Sequence, residues 1–123
     1  MQNNAYSRNG QIAVVIPCYK VRRHILDVIS SIGPEVRLIY VIDDKCPENT
    51  GAWVQKQCPD PRIRVIFHEN NQGVGGAMVS GFKAALLEGA AIVVKIDGDG
   101  QMDPHLINSF TRPLLSRQAD YVK

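Results

Sequence analysis

Apolar and polar residues alternate along this chain with two different periods, and the changes of period mark its elements. Residues 12–16 form a continuous apolar run stopped by Pro17, the pattern of a strand buried on both faces. Residues 22–32 place apolar side chains at 25, 26, 28, 29 and 32, a helical spacing that ends at Gly33-Pro34. A second, largely apolar run fills 37–42 and closes on Asp43-Asp44. A weaker helical pattern spans 48–57, starting at Asn49 or Thr50, and 62–67 alternates as a third strand, suited to a sheet edge. A glycine turn at 73–76 leads into a helix over 74–87 that tolerates Gly81. Residues 91–96 form a fourth strand, closed by Asp97-Gly98-Asp99-Gly100-Gln101. Asp103 and Pro104 suit the start of a helix over 104–115, and 119–123 opens a further strand.

The resulting order, βαβαβαβαβ, is that of an α/β fold: a mostly parallel sheet with helices on both faces. Because the pattern stops on a strand, the reading expects the front part of a longer, truncated domain. It also expects an unpaired edge and a tendency to self-associate. Residues 1–11 are polar and read as a flexible leader, leaving 12–123 as the domain.

Composition narrows the function classes. At 123 residues the chain is one domain at most, large enough to bury roughly two-thirds of its unfolded surface. With 45% hydrophobic residues it is not a disordered tract. A net charge of +2 gives no reason to expect a nucleic-acid partner. Cys18, Cys46 and Cys58 are odd in number and form no CxxC pair, so they read as reduced, structural thiols of a cytoplasmic protein. His24, His68 and His105 are too scattered for a metal motif, and no apolar run nears the roughly 20 residues of a membrane helix.

Open parallel sheets bind ligands beyond the carboxyl ends of their strands. Three of the expected strand ends carry unusual residues: Pro17-Cys18-Tyr19-Lys20, Asp43-Asp44, and Asp97-Gly-Asp99-Gly-Gln101. Four aspartates then converge on one edge. Two carboxylates 4 Å apart repel by about 4 kcal/mol at an intermediate dielectric, which a cation or several donors must offset. Hard oxygen ligands at alternate positions suit Mg2+ or Mn2+ shared with a diphosphate. Strand parity adds a restriction: Asp43 and Asp44 point to opposite faces, whereas Asp97 and Asp99 share a side. The glycines at 98 and 100 allow close backbone approach. Taken singly, each feature also has a plain explanation as turn chemistry.

Taken in order, Val-Val-Ile-Pro-Cys-Tyr (14–19), Val-Ile-Asp-Asp (41–44), Asn-Gln-Gly-Val-Gly-Gly-Ala (71–77) and Asp-Gly-Asp-Gly-Gln-Met-Asp-Pro (97–104) resemble the family 2 glycosyltransferases of the GT-A fold. The branch that acts on dolichyl or polyprenyl phosphate is the nearest likeness. The resemblance implies a Rossmann-like, nucleotide-sugar-binding half. Pro17 and Tyr19 would line the base pocket, Asp44 would contact base or ribose with Asp43 beside it, and Asp97 and Gly98 would adjoin the nucleotide. Asp97 and Asp99 would form the DxD motif that holds Mg2+ or Mn2+, with Gln101 as a third ligand and Asp99 as the catalytic residue. The implied activity is inverting, metal-dependent transfer of a sugar from a UDP- or GDP-linked donor to an acceptor such as polyprenyl phosphate. It would take place at the cytoplasmic face of a cell-envelope membrane. The alternative is a nucleotide-diphosphate and metal-binding module without catalysis. Lys20-Val21 and Lys45-Cys46-Pro47 depart from the family's usual loop residues, which leaves the donor base open. The chain by itself is expected to have little transferase activity.

Overall fold

The computed structural model describes residues 11–99 and the backbone of 121–122. The leader expected over 1–11 falls outside these residues except for Gln11, and so do Gln101 and the helix expected over 104–115. Among these residues, five strands and three helices occur in the order β1 (Ile12–Cys18), α1 (Arg22–Ser30), β2 (Val36–Asp43), α2 (Thr50–Gln57), β3 (Ile63–Phe67), α3 (Gly73–Leu87), β4 (Ile92–Lys95) and β5 (Tyr121–Val122). Every strand pairing is parallel, and the strands lie in the order β3-β2-β1-β4-β5. The chain thus starts in the middle of the sheet, winds outward through β2 to the edge strand β3, and crosses back to place β4 on the other side of β1. The strand order reverses between β1 and β4, which is where doubly wound sheets form a crevice.

The expected fold class holds, and so does the edge position of β3. One boundary is corrected. β1 does not stop at Pro17 but runs on to Cys18, with Pro17 paired to Ile42. The carbonyl of Val15 accepts from Ile96 N–H and that of Cys18 from Asp44 N–H, so odd-numbered residues of β1 turn their backbone groups to β4 and even-numbered ones to β2. The N–H that Pro17 lacks would face a flank where β4 has already ended, so its absence costs no ladder bond.

Side-chain parity divides the core in two. Val14, Ile16, Ile39, Val41, Val94 and their neighbours pack under α1 and α2, around Ile25, Ile29 and Val54. Ala13, Val15, Tyr40, Ile42 and Val93 pack on the opposite face under α3, against Ala77 and Ala85. Small residues let α3 lie close to the sheet. A Cβ built at Gly81 would stand 2.4 Å from Val15 Cγ1, so this mid-helix glycine is a contact point rather than a tolerated weakness. At the amino ends of the strands, the Arg62 guanidinium donates to the carbonyls of Ile32, Gly33 and Val36 and pairs with Asp60 at 2.8 Å. These bonds tie the turn before β2 to the start of β3.

Candidate functional site

A cavity of about 420 Å³ opens at the carboxyl end of the sheet, over the gap between β1 and β4. The volume is in the range of small-molecule sites. Its walls come from the loops after β1, β2 and β4 and from the first turn of α3. Pro17, Tyr19, Asp44, Asp97, Gly98 and Asp99 all line it, so six of the residues singled out from the sequence meet in one place. Tyr19 is 47% exposed at the mouth, with Lys20 Nζ 5.5 Å from its ring. Gly98 lies against the β1 loop: a Cβ there would be 3.0 Å from Val21 Cγ2.

Asp43 is not among the lining residues, so three aspartates rather than four converge here. The reason is the parity of β2. The Asp43 side chain turns to the α1/α2 face, where Oδ1 accepts from Cys46 N–H at 2.8 Å and Oδ2 from Gly51 N–H at 2.7 Å. It closes the turn into α2, whose N-cap residue Asn49 makes no side-chain capping bond of its own.

Asp44 turns the other way and does the same for α3, whose N-cap residue Gln72 also makes no capping bond with its side chain. Oδ1 accepts from Gln72 N–H and Oδ2 from Gly73 N–H, both at 2.8 Å. The amides at this glycine turn, which could have held a phosphate, therefore already have an anion. A third donor is the ring of His68, whose Nδ1 is 2.7 Å from Oδ1. Burial pushes the Asp44 carboxyl up, but the bonds from His68, Gln72 and Gly73 outweigh it and hold the group below the usual aspartate value. Asn71 completes the corner by donating from Nδ2 to the Asp44 carbonyl at 3.0 Å.

On the β4 side, Lys95 Nζ stands 3.0 Å from Asp97 Oδ1. Residues two apart in an extended chain share a side, which brings both into the cavity with Asp99. Among the described residues no group of three His, Cys, Asp or Glu side chains is placed to hold a metal alone. The donor chemistry of Asp97 and Asp99 nonetheless fits Mg2+ or Mn2+, since such ions commonly take one or two carboxylates and complete their shell with substrate phosphates and water.

Sequence reasoning missed His68 and Lys95. It examined the ends of the first, second and fourth strands but not the third, where His68 follows Phe67 directly. It also treated the cysteines as inert. Cys18 fits that description, its thiol pushed up by burial and by neighbouring Asp43 and Cys46. Cys46 joins the two loops beside the cavity: its sulfur accepts from Lys20 N–H at 3.1 Å and Glu48 N–H at 3.4 Å and lies 3.2 Å from Thr50 Oγ1. Burial raises that thiol, but these bonds prevail and bring it below the usual value. Trp53, read from the sequence as packing, is half-buried with the Arg22 guanidinium 4.1 Å from its ring centre.

Comparison with known proteins identifies the family and agrees with the fold. Residues 13–123 match the family described as Glycosyl transferase family 2. The chain belongs to that family. Among its relatives, a UDP-N-acetylglucosamine–dolichyl-phosphate N-acetylglucosaminyltransferase of Methanococcus voltae is 29% identical over 90% of this chain and 50% of its own length. An undecaprenyl-phosphate mannosyltransferase of Micrococcus luteus is 34% identical over 54% of this chain and 28% of its own. This family 2 chain thus spans half or less of either relative. The fold also matches S. aureus TarS 1-349 solved with UDP-GlcNAc, at TM-score 0.68 and 20% identity over 85% of this chain and 31% of that one. The match to TarS in complex with UDP has TM-score 0.67 and 19% identity. The likeness makes the fold that of GT-A glycosyltransferases.

Proposed function

We propose that this family 2 chain carries the donor half of a sugar transferase that moves a hexosyl group from UDP to a polyprenyl phosphate. The observation that supports this reading most directly is the cavity itself. It sits at the point where the strand order reverses, and it gathers Asp44 from one side and Asp97 and Asp99 from the other. The relatives that act on dolichyl and undecaprenyl phosphate supply the acceptor class.

The residues divide the donor between them. Pro17 and Tyr19 flank the nucleobase, with the exposed Tyr19 ring offering a stacking surface. A carboxylate has about four acceptor positions, and described residues fill three of those on Asp44. The one left, on Oδ2, matches the single imide N–H of uracil better than the two adjacent N–H groups of guanine, so we assign UDP over GDP. Asp97 and Asp99 are the residues that would hold a divalent ion, with Gln101 as a further ligand. When bound, the ion would neutralise charge on the departing diphosphate. Lys95 adds a fixed positive charge beside Asp97.

In the transfer, an acceptor phosphate oxygen forms a bond to the sugar C1 while the bond from C1 to the UDP oxygen breaks. Displacement from the opposite side inverts that carbon. The acceptor is already an anion, so no side chain need remove a proton.

Calorimetric titration with UDP and GDP, each with and without Mn2+, tests the reading. We expect UDP to bind more tightly than GDP and to require the metal, and Asp99→Ala to abolish the metal requirement together with most of the affinity. Metal-independent binding that survives in Asp99→Ala refutes the assignment of the diphosphate site.

A further inference from the structure

The His68 ring is buried, its side chain 6% exposed, yet both ring nitrogens are engaged. Nδ1 is 2.7 Å from Asp44 Oδ1 and Nε2 is 2.7 Å from Ser80 Oγ. The His68 backbone is fixed as well, its N–H donating to the Asp43 carbonyl at 2.9 Å. An ionised carboxylate only accepts hydrogen bonds, so Nδ1 carries the proton in its bond to Asp44.

Ser80 and Gly73 belong to the same helix, about two turns apart, or roughly 10 Å along its axis. α3 therefore holds the Asp44 carboxylate twice: directly through the Gly73 amide, and indirectly through Ser80 and the imidazole. The two holds are not equivalent. The direct one comes from a turn whose glycine has φ of 79°, and the terminal torsion of an aspartate is broad and nearly two-fold. The Gln72 and Gly73 amides meet one oxygen each, whereas the ring, bonded at both ends, adds a third fixed point. The direction of the remaining acceptor position on Oδ2 is then set by His68.

We propose that His68, held by Ser80, is the positioning residue of the nucleotide site: it fixes the plane of the Asp44 carboxylate and so sets how strictly a nucleobase N–H is required. The inference rests on the reading that Asp44 meets the base. His68 touches no reacting atom and acts only through Asp44.

Two substitutions separate its bonds. Asparagine places its amide nitrogen near Nδ1, and glutamine places it near Nε2. His68→Asn thus keeps the donor to Asp44, while His68→Gln keeps only the reach to Ser80. Three probes are titrated into the chain with Mn2+: UDP, its N3-methyl analogue, which lacks the imide N–H, and inorganic pyrophosphate, which lacks a base. The unaltered chain and His68→Asn should prefer UDP over the methyl analogue by about tenfold, the scale of a hydrogen bond to a charged group. In His68→Gln and His68→Ala that ratio should fall to within about twofold of unity. Pyrophosphate affinity should stay unchanged in all of them.

A UDP preference retained in both His68→Gln and His68→Ala overturns the proposal. So does a parallel fall in pyrophosphate affinity, which would mark His68 as merely structural. If His68→Ala does not fold, the Asn and Gln variants decide alone. Asp44→Asn serves as the control for the underlying reading: a preference that survives it, or one missing from the unaltered chain, removes the role of Asp44 and the proposal with it.

Discussion

Asp43 and Asp44 are neighbours of identical chemistry, both buried at the end of β2, yet they serve opposite faces of the sheet. Each closes the N-terminus of a helix that lacks a side-chain cap of its own, Asp43 for α2 and Asp44 for α3. The first lies outside the cavity and its two oxygens meet only backbone amides of the chain segment that follows. The second lines the cavity, carries an imidazole as an additional partner, and has one acceptor position that no described residue fills. A single residue of strand parity therefore separates a carboxylate that only caps from one that caps and, in the proposed function, meets the nucleobase.

The largest effect expected is on the α3 face itself. Gly81→Val forces a branched side chain into Val15 and should cost about 3 kcal/mol in urea denaturation, as overpacking does. The aspartates come next. Asp43→Ala leaves two buried amides without a partner and should cost about 2 kcal/mol of stability, with UDP affinity within about threefold of the unaltered chain. Asp44→Ala should lower UDP affinity by about tenfold or more. Equal losses of UDP affinity in calorimetry would erase the distinction between the two faces.

Acid sharpens the same comparison. The Asp44 carboxyl is held below its unfolded value near 3.9, so its contribution is fully present above that pH and is lost as pH falls through the folded value. Stability measured from pH 6 to pH 2 should fall less in Asp44→Asn than in the unaltered chain. The smallest change is expected far from the site. Arg64 and Glu88 form an exposed pair at 3.8 Å, and Arg64→Ala should alter stability by less than about 0.5 kcal/mol.

Much of this division was legible in the sequence. Alternating periods placed every element of the described residues within a few positions, and parity alone indicated that Asp43 and Asp44 diverge. Where each one goes was not legible, because its partners lie in other elements: Gly51 in α2, and His68 and Gly73 across β3 and α3. Pro17 was read as a stop because the pattern shows a missing donor but not which flank it would face. Gly81 was read as merely tolerated because the pattern shows an absent side chain but not the strand pressed against it. Lys95 was not singled out, since its value depends on Asp97 two positions later.

The placement of β4 beside β1 also has a kinetic consequence. Ile12 pairs with Ile92, so the two walls of the crevice are among the most distant parts of the described chain. Contacts of such separation form late and slowly, because the loop entropy is lost before they contribute. β1, β2 and β3 can associate while the chain is still being made, but the crevice cannot exist until residues 92–99 have emerged from the ribosome and crossed back. Nucleotide binding should therefore appear only in the last phase of refolding, as a reporter of the complete sheet rather than of its first half.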